Sequence, residues 1–258
     1  MLSSGDVPPA RAGTYDGVDQ SELARRLALP RIVALAETTS TLDVAHALAE
    51  SGAPAGTLVL ADRQTAGRGR HGRAWSSPPG AWLWLTLVER DVELAALGVL
   101  PIRLGLAAAP ALDAFADAPV SLKWPNDLWL GERKLAGVLV EARWQAGALA
   151  WIAIGVGVNV VAPEDVARAA GLRAGTRRLD VLAALVPALR AAVRAAGALD
   201  DAELAAYARR DVARGRWCDA PVAGVVAGLR ADGALLVETE RGEQPITQGS
   251  LTFAAPPP

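Results

Sequence analysis

Apolar positions along the chain fall into two kinds of run, and they predict two kinds of element. Unbroken apolar stretches at Thr57–Ala61 (TLVLA) and Trp82–Val88 (WLWLTLV) predict buried strands. Further strands are expected at Val120–Trp124, Asp127–Leu130, Ala136–Arg143 and Leu149–Val158. Residues 1–30 read as a loose polar leader followed by a short helix over Ser21–Leu27. Ser40, with Asp43 three residues on, is a good N-cap, and Gly52 is a good stop, so a helix is expected between them. Leu94–Ala116 is mainly helical in pattern, with Pro101 near its start and Pro110 as an expected kink. Two more helices are expected around Leu179–Ala196 and Ala202–Arg210.

After Arg210 the pattern changes. Pro221–Phe253 is made of short alternating runs (VAGVVAGL, ALLVET, PITQGSL) broken by turns at Asp232-Gly233 and Arg241-Gly242. The expected architecture is therefore an α/β body over residues 31–210 and a small antiparallel barrel over residues 211–258. No repeat of solenoid length interrupts this order.

Composition narrows the classes. With 52% hydrophobic and 21% charged residues, the chain is not intrinsically disordered. One cysteine, Cys218, excludes a disulfide scaffold, and with only His46 and His71 beside it a zinc site is not expected. A net charge of −2 gives no global basic field for nucleic acid or anionic lipid. Met1–Thr14 lacks the apolar core of a signal peptide, and Arg, Asp or Glu interrupts every run before the about 20 apolar residues of a membrane span. A cytoplasmic protein is expected. Of the 26 basic residues only two are lysines, Lys123 and Lys134, which directs attention to the segments that hold them.

Chemistry concentrates in four segments. The first, Asp62–Trp75, contains Gly67, Gly69 and Gly72 in the spacing of a dinucleotide fingerprint, but Ser76-Ser77-Pro78-Pro79-Gly80 follows where that fingerprint needs a helix. No Walker loop or kinase signature exists either. What remains is a glycine loop carrying Arg68, Arg70 and Arg73, three like charges that favour an anion between them over a solvated basic turn. The second, Lys123-Trp124-Pro125-Asn126-Asp127, is either a point charge set between two anions or an Asn-Asp turn with a solvated lysine. The third and fourth, Lys134–Glu141 and Gly155-Val156-Gly157-Val158-Asn159, place glycines inside apolar strands, as at a ligand wall or at bulges of a twisted sheet.

Taken in order, ETTSTLDVA, QTAGRGRHGRAW, KWPNDLWL, KLAGVLVE and GVGVNV, followed by a small barrel opening near GRWCD, resemble the biotin protein ligase family over about Leu35–Phe253. The resemblance implies a class II synthetase-like catalytic domain, a mixed sheet flanked by helices, with an SH3-like C-terminal barrel. It also implies joining of biotin to ATP, with Mg²⁺, to give biotinyl-adenylate, then transfer of biotin to a lysine. The acceptor would be the biotin carboxyl carrier protein or domain of acetyl-CoA or related carboxylases.

By the same resemblance, Ser40, Thr41, Leu42, Gln64, Arg68, Gly69, Arg70, Lys123 and Gly137 fall where the family binds biotin. Gly67, Arg68, Arg70, Arg73, Trp75, Lys123, Asn126 and Asn159 fall near the nucleotide. Lys123 and Arg70 are the expected catalytic residues, and Mg²⁺ is expected to ride on the phosphates without direct protein ligands. No nucleic-acid or membrane partner is expected, and the chain is expected as a monomer or weak homodimer. Where members usually carry Asn after the Ser-Thr pair, this chain has Leu42, which cannot make that polar contact. The about 30 residues before the catalytic body are too few for the DNA-binding domain of repressor members, so a ligase without repressor activity is expected. Two alternatives stay open: a biotin or nucleotide sensor without turnover, and a lipoate or octanoate ligase.

Overall fold

The computed structural model describes residues 13–72, 80–163, 166 and 168–253. It begins with a hairpin of β1 (Thr14–Tyr15) and β2 (Val18–Asp19), followed by α1 (Gln20–Arg26), whose N-cap Asp19 accepts hydrogen bonds from the Ser21 and Glu22 amides. The hairpin was not expected from the sequence. Its turn, Asp16-Gly17, takes positive φ at both residues, as a tight two-residue hairpin requires. The hairpin is tied down by a buried guanidinium. Arg178 lies 4.4 Å from the Tyr15 ring centroid, pairs with Asp16, and reaches Asp62 at 2.6 Å.

The body is one seven-stranded mixed sheet. Its strands are β3 (Arg31–Thr38), β4 (Thr57–Gln64), β5 (Trp82–Glu89), β6 (Ser121–Lys123), β7 (Asp127–Leu130), β8 (Arg133–Gln145) and β9 (Ala148–Asn159). They lie in the order β3-β4-β5-β9-β8-β7-β6. β3 and β4 run parallel across α2 (Thr41–Glu50), and every other pairing is antiparallel. β5 is buried at every position and β9 from Trp151 to Asn159, which explains why both read as apolar runs rather than alternations. Leu83, Leu85 and Leu87 enter the main core with α3 (Leu100–Asp113) and α4 (Arg178–Val193), whereas Val88 and Trp151 pack with Ala45 and Ala49 of α2 on the opposite face.

The stretch Leu94–Ala116 divides into a 3₁₀ turn at Leu94–Ala96 and α3, which continues through Pro110 to Asp113. α5 (Asp201–Arg210) opens with a capping box between Asp200 and Glu203. Buried Arg103 of α3 pairs with Glu203 at 2.6 Å and donates to carbonyls of residues 195–198, holding the connection between α4 and α5.

The C-terminal unit is a four-stranded antiparallel SH3-like sheet of β10 (Trp217–Cys218), β11 (Gly224–Leu229), β12 (Leu235–Thr239) and β13 (Gly242–Ile246). Of the expected strand PITQGSL only Pro245 and Ile246 belong to β13. After Ile246 the chain leaves the sheet, and Thr252 returns to pair with Ala220. The unit is fixed to the body by the Trp124 indole, which donates to the Gly233 carbonyl at 3.0 Å, and by Val212, whose amide donates to the Leu122 carbonyl at 3.0 Å.

Asp211 sits at this junction. Burial pushes its carboxyl up to about 6, against backbone hydrogen bonds that act the other way, and its Oδ2 has no partner among the described residues. The native state therefore prefers the neutral acid. Its stabilisation is present below the unfolded carboxylate value near 4 and is lost as pH rises through about 6. Asp211→Asn removes this titration. Between about pH 4 and pH 7 the stability of the variant relative to wild type should rise by as much as about 3 kcal/mol, measured by urea unfolding. A difference that stays flat with pH contradicts the assignment.

Candidate active site

A cavity of about 490 Å³ opens on the α2 face of the sheet, beyond the N-terminus of that helix. One end is built by α2 and the end of β4. Ser40 caps the helix, its Oγ accepting from the Leu42 amide at 3.3 Å. Gln64 turns its carbonyl to Thr41, accepting from the backbone amide at 2.7 Å and from Oγ1 at 3.1 Å. Thr41 Oγ1 in turn accepts from Thr86 Oγ1 at 2.8 Å. What this end presents to a ligand is therefore the Ser40 hydroxyl proton, the Gln64 NH₂ group and one lone pair on Thr41. Leu42 is buried against β9, close enough that a Cβ on Gly155 would meet its side-chain carbons at 3.2 Å. The glycine provides the space that the leucine fills.

The floor is apolar and glycine-rich. Trp82 and Trp84 project from β5, and Gly137 pairs with Gly157 across β8 and β9, leaving a strip without side chains on the cavity wall. Such a strip lets a ligand lie directly on the backbone.

The other end is formed around the β6–β7 turn. Lys123 Nζ lies 4.6 Å from the Trp129 ring centroid and 5.2 Å from that of Phe253. Lys134 donates to Asp127 at 2.6 Å. Arg70 reaches across from the glycine loop to Asn126 Oδ1 at 3.4 Å, and the Asn126 amide donates to the Val138 carbonyl. Arg70, Lys123, Lys134 and Arg168, whose carbonyl accepts from the Lys134 amide at 2.8 Å, thus line one part of the wall, and Asp127 is the one carboxylate among the described lining residues. No cluster of three His, Cys, Asp or Glu side chains suited to a metal exists among the described residues.

The wall brings together Ser40, Thr41, Leu42, Gln64, Arg68, Gly69, Arg70, Lys123, Asn126, Gly137 and Asn159. Gly67 is buried and not part of the wall, and Arg73 and Trp75 lie outside the described residues. Two expectations change in detail. Arg68 is not an open anion receptor, because Asp43 at 2.7 Å and Glu141 at 3.3 Å already match its charge. Asn159 commits its amide to the carbonyls of Lys134 and Ala170, at 3.2 and 2.9 Å, so only Oδ1 is left to offer. That Oδ1 and the Trp129 Nε1 are buried without hydrogen-bond partners among the described residues.

Sequence reasoning missed Lys134 and Asp127 as site residues, and also Trp129 and Phe253. The rarity of lysine was the available signal for the first. Nothing local marked Phe253, which arrives from the far end of the chain.

Residues 34–159 match the Biotin/lipoate A/B protein ligase family. The chain is 36% identical over 217 residues to the bifunctional ligase/repressor BirA of Salmonella typhimurium, an alignment covering 77% of this chain and 67% of that protein. The chain belongs to this ligase family. A biotin--[acetyl-CoA-carboxylase] ligase of Mycobacterium tuberculosis is 42% identical over 139 residues, 51% of this chain and 50% of that one. A biotin protein ligase of Aquifex aeolicus, solved with biotin and ATP, superposes with a TM-score of 0.69 at 26% identity, over 88% of this chain and 99% of that one. The chain spans from about two fifths to two thirds of the length of the BirA relatives it matches. The family's mixed sheet and small C-terminal β unit are those described above. No described helix is long and apolar enough to cross a membrane.

Proposed function

We propose that this protein is a biotin protein ligase, with residues 31–210 as its catalytic body and residues 211–258 as the SH3-like unit that completes the cavity wall. The observation that carries this reading is one continuous cavity with neutral hydrogen-bonding groups at one end, an apolar floor, and Arg70, Lys123, Lys134 and Arg168 at the other. A biotin head has a urea carbonyl that Ser40 and Gln64 can donate to, and an N–H that the remaining Thr41 lone pair can accept. Its thioether ring and valeryl chain suit the tryptophans and the glycine strip. Its carboxylate would then reach the cationic end.

The first step joins two anions. A carboxylate oxygen attacks the α-phosphorus of ATP, the bond to the β-phosphate bridging oxygen breaks, and pyrophosphate leaves. Two unit charges 4 Å apart repel by roughly 4 kcal/mol at an effective dielectric near 20, so cations placed beforehand lower the barrier. ATP would enter as its Mg²⁺ salt, which further screens the phosphates. With Lys134 already donating to Asp127, the wall suits an ion carried by the triphosphate and not by a protein cage. In the second step the neutral amine of an acceptor lysine attacks the acyl carbon, AMP leaves, and the amine loses its proton.

The acceptor we infer is a biotin carboxyl carrier domain, and the compartment the cytoplasm. The test is transfer. With biotin, ATP and Mg²⁺, a purified carrier domain should gain one biotinyl group at its lysine by mass spectrometry. A carrier that stays unmodified while adenylate accumulates would reject the acceptor and leave adenylation standing.

A further inference from the structure

Arg68 is flanked by Gly67 and Gly69, so the local backbone alone does little to fix it. Its side chain is nevertheless held from two sides. Nη1 donates to Asp43 Oδ1 of α2 at 2.7 Å, and Nε donates to Glu141 Oε1 of β8 at 3.3 Å. Glu141 is itself held: His46 Nε2 lies 2.9 Å from Oε2, and the exposed Arg143 donates to the same oxygen at 3.2 Å. Behind His46, the Trp151 indole donates to Nδ1 at 3.0 Å. An indole N–H can only donate, so Nδ1 must be the acceptor and the imidazole proton sits on Nε2, aimed at Glu141. Burial, together with the Arg143 and Arg68 charges, lowers the His46 pKa against the pull of Glu141, in keeping with that neutral tautomer. Burial also works against the Glu141 carboxylate, but Arg68 and His46 outweigh it and hold it below its ordinary range.

We propose that Glu141 and Asp43 are positioning residues for the arginine loop, and that the Trp151–His46 pair fixes the orientation of Glu141. Two residues beyond Arg68 lies Arg70, the loop side chain that reaches the β6–β7 turn. Clamping Arg68 between α2 and β8 removes the freedom that the glycines give this segment. None of the four residues lies on the cavity wall, so each acts through Arg68. The inference rests on the ligase reading only where activity is measured.

The test uses Glu141→Gln, which keeps the shape and removes the charge, in the full chain. Trypsin cleavage after Arg68 and Arg70 should accelerate about tenfold, with the urea midpoint unchanged. In biotin-dependent pyrophosphate exchange, the KM for biotin should rise about tenfold while kcat stays within about twofold. Asp43→Asn, on an exposed helix position, should give a smaller change in the same direction, and it carries the test if Glu141→Gln does not fold. Unchanged loop cleavage in the folded variants, the double variant included, would overturn the proposal. If biotin supports no exchange in the wild type, the ligase reading fails while the cleavage measurement still decides this one.

Discussion

Replacing either cavity lysine by alanine should lower biotin-dependent pyrophosphate exchange by about two to three orders of magnitude, the usual effect of removing one preorganised group that stabilises developing charge. The two losses differ in cause. Lys123 is held against the faces of Trp129 and Phe253, which orient its ammonium group in the cavity wall. Its removal takes away attraction. Lys134 donates to Asp127 at 2.6 Å, so its removal also leaves a bare carboxylate on the wall where two further anions must meet. Lys134→Ala should therefore fall at least as far as Lys123→Ala, and Asp127→Asn in the Lys134→Ala background should recover part of the loss. Exchange at the wild-type rate in either single variant contradicts the charge argument.

The second large effect is expected at Arg70. Its guanidinium joins the glycine loop to Asn126 on the opposite side of the cavity, 56 residues away in sequence. Arg70→Gly cuts that link and adds a fourth glycine to the loop, next to Gly69. Loop closure shields a mixed anhydride from water and from unintended amines, so the variant should release biotinyl-adenylate into solution. The leak is best read in trans, since the only lysines of this chain, Lys123 and Lys134, both line the cavity. Biotinylation of an added bystander protein should rise about tenfold over wild type at matched adenylate formation, as loss of roughly one charged hydrogen bond implies. Equal bystander labelling by the two proteins contradicts the role given to Arg70.

Much of the body could be read in the sequence because its signals are local. The runs TLVLA and WLWLTLV are strands because both faces of β4 and β5 are covered, and Ser40 and Gly52 bound α2 as capping chemistry requires. The first hairpin escaped because strands of two residues carry no periodicity, although its Asp16-Gly17 turn was visible. The end of the C-terminal unit escaped for another reason. PITQGSL alternates like a strand, but the pairing of β12 with β13 stops at Ile246, and residues 250–253 instead build cavity wall.

In the site, the positions marked by motif were legible, whereas their charge balance was not. Arg68 looked like an anion receptor because Asp43 and Glu141 lie 25 and 73 residues from it. Asp127 and Lys134 meet diagonally across the β7–β8 hairpin, where the register shifts between Leu128 and Trp129, a contact that no spacing rule supplies. Leu42 looked like a lost hydrogen bond, and the structure gives it a packing partner in Gly155.

The most direct test of the central claim is exchange of labelled pyrophosphate into ATP by the wild-type protein with Mg²⁺, using biotin, lipoate and octanoate in parallel. Exchange with biotin alone is the predicted result, and it would show that Leu42 at the head-group end is compatible with this acid. Exchange driven by lipoate or octanoate in place of biotin, or none with any acid from a folded protein, would contradict it.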